Sequence, residues 1–189
     1  MGKVEKDTSD RSNDMENMTE MHQLPDNADI RSHLEDAYFA DSFHTDIQYH
    51  GQSAMDVYID LMQATPKWVT TLMALRNKIV GLFGLKNLGS MTEIDRTKSA
   101  ADYQVGDKVG IFSLYSKSAS EVIVEDRDKH LNVKLSFTIE PNGNKAKVHA
   151  TSVVHVNNRL GRVYMFFVGP VHKIIVPNSL KQLPYAILS

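Results

Sequence analysis

The 189 residues, 42% of them hydrophobic, suffice for one well-buried domain and are short for two. The absence of cysteine excludes a disulfide, a thiolate nucleophile and a cysteine-ligated zinc or iron–sulfur site, and it fits a reducing cytoplasm. The net charge of -2 hides an asymmetry, because Met1 to Asp36 hold four bases against ten acids while the remainder holds 17 bases against 13 acids. Those 17 bases are scattered, with no Lys/Arg run and no interleaved aromatics, so nucleic acid is not an expected partner.

The leader "MGKVEKDTSDRSNDMENMTEMHQLPDN" has acids throughout and no apolar segment, unlike a secretory signal, and a cytoplasmic location follows as the expectation. Gly2 follows Met1, but Lys6 stands where a myristoylation signal wants Ser or Thr. Having little to bury against its ordering entropy, the stretch from 1 to 36 is predicted to be a disordered acidic tail, with a single domain from 37 to 189.

Within that domain, "SFHTDIQYH" sets Phe43, Thr45, Ile47 and Tyr49 against His44, Asp46, Gln48 and His50, the period of a half-buried strand. Met55, Tyr58, Ile59 and Met62 then mark a helix between Ser53 and Ala64. Thr65 and Pro66 read as the cap and first residue of a second helix, whose stripe is Trp68, Leu72, Leu75, Ile79, Leu82 and Phe83, ending at Gly84. After a loop to about Asp107 come four strand-like stretches, "VGIFSLYS", "SEVIVED", "HLNVKLSFTIE" and "KAKVHATSVVHV". The third alternates Leu131, Val133, Leu135, Phe137 and Ile139 with polar residues, and "EDRDK" and "EPNGNK" are short turns, so the strands are expected to pair as antiparallel hairpins.

The greasiest stretch, Val163 to Val176, is shorter than the roughly 20 residues of a membrane span and is broken by Gly169, Pro170, His172 and Lys173. It reads instead as an amphipathic helix capped by Asn157 or Asn158, with Leu160, Val163, Tyr164, Phe167, Val168, Val171, Ile174 and Ile175 as its apolar stripe. Pro170 predicts a kink near Phe166 to Gly169, or two shorter helices, ending before Pro177.

Strand, two helices, a run of hairpin strands and a long C-terminal helix make an α+β order in which the sheet curls around the last helix. In this order, and in "WVTTLMALRNKIVGLFGLK" from Trp68, "VGIF" from Val109, "DKHLNVKLSF" from Asp128 and "VVHVNNRLGRVYM" from Val153, the chain resembles the START-like, polyketide-cyclase-like (SRPBCC) superfamily of helix-grip folds. Within it, the chain is more closely similar to a bacterial domain-of-unknown-function family, number 2867. The resemblance spans about Tyr38 to Leu183. It implies an apolar cavity between sheet and long helix that holds a small hydrophobic molecule.

The expected wall is Leu131, Val133, Leu135 and Phe137 on one strand, Val148, Ala150, Ser152 and Val154 on the next, and Tyr164, Phe167 and Val168 on the helix, where the small pair Ala150 and Ser152 opposite large residues favours a void. Arg76, in a greasy helical stretch, and His155, inward if "VVHV" holds a bulge, are the expected polar anchors beside Tyr164. No HExxH or third ligand joins any histidine pair, and no nucleophile elbow, GxGxxG or phosphate loop occurs, so neither metal, cofactor nor catalytic residue is expected. Three readings remain: a binding module for a hydrophobic molecule, a cyclase- or isomerase-like enzyme using the same cavity, and an apolar surface for a partner protein or a homodimer.

Overall fold

Alternation of apolar and polar residues builds the sheet. The computed structural model describes residues 24–64, 69 and 98–187. Its strands are β1 (Phe39–Gln48), β2 (Lys108–Val109), β3 (Phe112–Lys117), β4 (Glu121–Arg127), β5 (Leu131–Asn142) and β6 (Lys145–Val156). They form one curved antiparallel sheet in the order β1-β6-β5-β4-β3-β2. The expected hairpins are present, and the first strand has crossed to the far edge to pair with the last.

Helices α1 (Ala54–Gln63) and α2 (Arg159–Leu180) lie on one face, α1 against β4 and β5, α2 against β1 and β6. Ser53 caps α1 through a capping box with Asp56, and Asn158 caps α2 by accepting from the Leu160 and Gly161 amides. The main core lies between α1 and the sheet, where the buried Tyr58 donates to the Val109 carbonyl at 2.9 Å and stacks at 5.3 Å on Phe137. The second expected helix and the anchor Arg76 lie outside the described residues. The chain is an α+β protein, and no helix among the described residues is long and apolar enough to cross a membrane.

The structure corrects one expectation. Helix α2 is continuous from Arg159 to Leu180 and passes through both Pro170 and Pro177. A proline within a helix removes an amide donor and crowds the preceding turn, and here Leu180 and Leu183, both buried in the core, pin the C-terminal end beyond Pro177. The strap from Leu24 to Ala37, part of the stretch expected as tail, packs on the outer face of the sheet. Leu24, Ala28 and Ile30 meet Ile123 and Val153 there.

Glu121 fixes that strap. Its buried carboxylate accepts from the amides of Asp29 at 2.5 Å and Ile30 at 3.2 Å, and from Ser136 Oγ at 2.6 Å. A carboxylate is well satisfied by such donors, and the first turn of the short 3-10 helix Asp29–His33 supplies two of them. Glu121→Ala is therefore expected to lose about 2 kcal/mol of stability and to expose the strap to limited proteolysis; unchanged protection of the strap would show that its apolar residues suffice.

The same face predicts an acid sensitivity. His149 is buried beside His44 and bonds Glu140 at 2.9 Å. Burial pushes its pKa below the ordinary 6.5, with the Glu140 hydrogen bond opposing, and burial also lowers that of His33. The unfolded chain therefore takes up protons first as pH falls through 6.5, and the stability present above that value is lost on the acid side. Thermal unfolding should show this slope, at most about 1.4 kcal/mol per pH unit per histidine, and His149→Gln should flatten it.

Candidate functional site

Register places Asp41, Ser152, Leu135 and Val124 in one row across β1, β6, β5 and β4, on the face covered by the helices. Asp41 is fully buried, and both its carboxylate oxygens lack a hydrogen-bond partner. Burying such a group without donors costs several kcal/mol, and native proteins rarely do so without a use for it. Above this row sits His172 of α2, whose Nε2 is 2.8 Å from Ser152 Oγ and 3.3 Å from Asp41 Oδ1. The ring also stands edge-on to Phe39 at 5.9 Å.

Aspartate, histidine and serine together suggest a nucleophilic relay, but the geometry is wrong for one. In a relay the carboxylate holds one ring nitrogen while the other takes the serine proton. Here both groups share Nε2, and Ser152 is buried. The cluster is a polar patch in an apolar wall, surrounded by Phe39, Phe43, Val133, Leu135, Tyr164 and Val168, all only half-buried.

The way α2 docks explains which of its residues reach this site. Gly161, Met165 and Gly169 are its buried residues in the first three turns. A Cβ on Gly161 would lie 2.5 Å from the His130 carbonyl, so only glycine permits the approach, while Gly169 passes Phe39. With small residues against the sheet, Val168, His172 and Val176 follow at four-residue steps on the same side. The large residues turn outward: Phe167 is 67% exposed, with Val163, Phe166, Val171 and Ile174 beside it.

Of the sequence-derived wall, Leu135, Phe137, Ala150, Ser152 and Tyr164 lie on the helix-covered face, with Phe137 and Ala150 deep in the core. Phe167 does not belong to it. His155 lies on the opposite face, where its Nε2 donates to the Glu35 carbonyl at 3.0 Å, because the β5–β6 register runs without a bulge to Val156. Sequence reasoning missed Asp41 and His172. Extending the β1 alternation back from Phe43 would have put Asp41 inward, and the spacing of Val168, His172 and Val176 carried the signal for the histidine.

A separate open cleft of about 410 Å³ lies at the N-terminal end of α1, lined by Ser53, Asp56, Ser99 and Lys117 among others. Its charged groups are engaged in structure: Asp56 closes the α1 capping box, and Lys117 Nζ donates to the carbonyls of Ala100, Ala101 and Tyr103. Among the described residues no three histidine or acidic groups gather to hold a metal ion.

Fold and site together define an α+β domain with a six-stranded antiparallel sheet, a C-terminal helix across its first and last strands, and a buried polar cluster beneath that helix. The profile of the family described as protein of unknown function DUF2867 matches residues 33–179, and the chain belongs to that family. No curated protein and no solved structure matches the chain.

An unpartnered buried carboxylate held for function should burden the fold. Asp41→Leu, similar in size and without polar atoms, is expected to raise stability by about 1–3 kcal/mol in denaturant unfolding. A loss of stability would mean that Asp41 is a structural partner of His172 and no more.

Proposed function

We propose that the protein binds a small, largely apolar molecule between the sheet and α2, in the manner of a helix-grip fold. The observation that carries this reading is Asp41: a fully buried carboxylate without a hydrogen-bond partner, bordered by apolar side chains that the protein leaves half-covered. Pockets for small molecules have this character, an apolar lining with a few convergent polar groups that orient the occupant. Val133, Leu135, Ser152 and Tyr164 of the expected wall are retained in the proposed site. Phe39, Phe43 and His172 join them, and Phe137 and Ala150 form its floor.

A second reading, cyclase- or isomerase-like catalysis, is favoured by one feature, the histidine beside a carboxylate, a pairing suited to moving protons. Turnover of a molecule retained by the protein from its host, detected by native mass spectrometry, would favour the enzyme; retention without turnover favours the carrier.

The test of binding is uptake of N-phenyl-1-naphthylamine, whose fluorescence rises in apolar surroundings. The parent protein should take it up. Leu135→Trp, filling the half-covered space from the sheet side, should weaken uptake at least about tenfold while costing less than about 1.5 kcal/mol of stability. No uptake by the parent would reject the pocket.

A further inference from the structure

We infer that the site under α2 recognises a neutral hydroxyl on an otherwise apolar molecule, through Nδ1 of His172 acting as hydrogen-bond acceptor. The inference rests on the pocket reading above and specifies its ligand.

The argument begins with the count of donors and acceptors. Ionised, Asp41 can only accept, and Ser152 has one proton to give. Both lie against the same nitrogen, His172 Nε2, at 3.3 Å and 2.8 Å. If the ring proton sat on Nδ1, the Nε2 lone pair would face the lone pairs of the Asp41 carboxylate, a repulsive arrangement beside a fully buried acid. The proton therefore belongs on Nε2, where it is donated to Ser152 Oγ and faces the Asp41 carboxylate, which makes no hydrogen bond of its own to the ring. In a neutral imidazole the other nitrogen is then an acceptor. Among the described residues Nδ1 has no hydrogen-bond partner, and the side chain is 22% exposed.

The charged and titratable surroundings make the acceptor selective. From β1 the ring faces Asp41; the helix-facing residues of β6 and β5 from Leu131 to Ile139 and from Val148 to Val156 include no titratable group; on α2 the neighbour is Lys173, and Tyr164 lies two turns before. A ligand carboxylate at this place would meet the Nδ1 lone pair and the negative field of Asp41. An ether would bring an acceptor to an acceptor. A phenol or alcohol brings the missing donor, while Phe39, Val133, Leu135 and Val168 receive the hydrocarbon body. Asp41 does not reach the ligand; it is a positioning residue that fixes the tautomer.

The test compares 2-naphthol, 2-methoxynaphthalene and 2-naphthoate as ligands of the full chain, by isothermal titration or displacement of the fluorescent probe. The parent should bind 2-naphthol at least about tenfold more tightly than the other two, since a site built for a hydroxyl penalises analogues that lack it. His172→Phe should reduce that preference to under about twofold. Should that variant fail to fold, His172→Gln serves, with circular dichroism to establish its fold. For Asp41 the readout is the tautomer: 15N imidazole shifts at about pH 8, above the ordinary histidine range, should place the proton on Nε2 in the parent, with a shift toward Nδ1–H in Asp41→Asn. Equal binding of naphthol and its ether, or an Nδ1–H ring in the parent, overturns the hydroxyl assignment and leaves the pocket standing. Failure of all three molecules and of the fluorescent probe rejects the pocket, and this inference with it.

Discussion

The two-sided pairing of β6 is the constraint on which the rest of the structure depends. Its residues pair continuously with β1 from Phe39 to Gln48 and with β5 from Leu131 to Asn142. A slip of one residue on either side would turn Asp41 or Leu135 to the opposite face and dissolve the row that carries the site. The β1–β6 half is also the most demanding step of folding, since the Ser42–Thr151 bond joins residues 109 apart in sequence. Until that ladder closes, Asp41 has neither Ser152 beside it nor a helix above it.

Two buried carboxylates on the same sheet show what the two faces are for. Glu121 on the outer face takes three hydrogen bonds, two of them from backbone amides of the strap. Its neighbours are similarly matched: Lys134 donates to Glu125 at 2.7 Å and lies over the Tyr115 ring, and Ser42 bonds Thr151. Asp41 on the inner face, buried more completely, has a histidine near one oxygen and no hydrogen bond to either. Both groups are taken out of water, and of the two Glu121 is the one bonded by donors within the protein. The difference is one of purpose: the outer network holds a segment of chain, and the inner acid leaves bonding capacity unused.

Strand order and boundaries were largely legible because β5 and β6 alternate strictly and their turns are short, and because Ser53 and Asn158 are capping residues at the start of periodic segments. The orientation of α2 was not. Hydrophobic periodicity assigns the sheet-facing side to the largest apolar residues, Val163, Phe167, Val171 and Ile174, whereas close packing selects Gly161, which carries no apolar weight in such a pattern. That rotation removed Phe167 from the wall and introduced His172, read in the sequence only as a polar interruption. The strap was illegible for a different reason. Leu24, Ala28 and Ile30 are too few to form a periodic signal, and their partners, Ile123, Val153 and Glu121, lie about a hundred residues away.

The packing of α2 along its length bears on how a molecule could enter without unfolding the domain. Its first turns are clamped by Gly161 against the His130 carbonyl and by Met165 against Leu131 and Val154. Its last turn is clamped by Ser179 and Leu180. Between them, from Pro170 to Asn178, no residue is buried, and His172 sits in that span. Pro170 and Pro177 each remove an amide donor there, weakening the helix's own ladder where the sheet also supports it least. In the reading proposed above, the loosely packed middle of the helix and the uncompensated acid beneath it are one device: the first admits a molecule, and the second, acting through His172, decides which molecule is held.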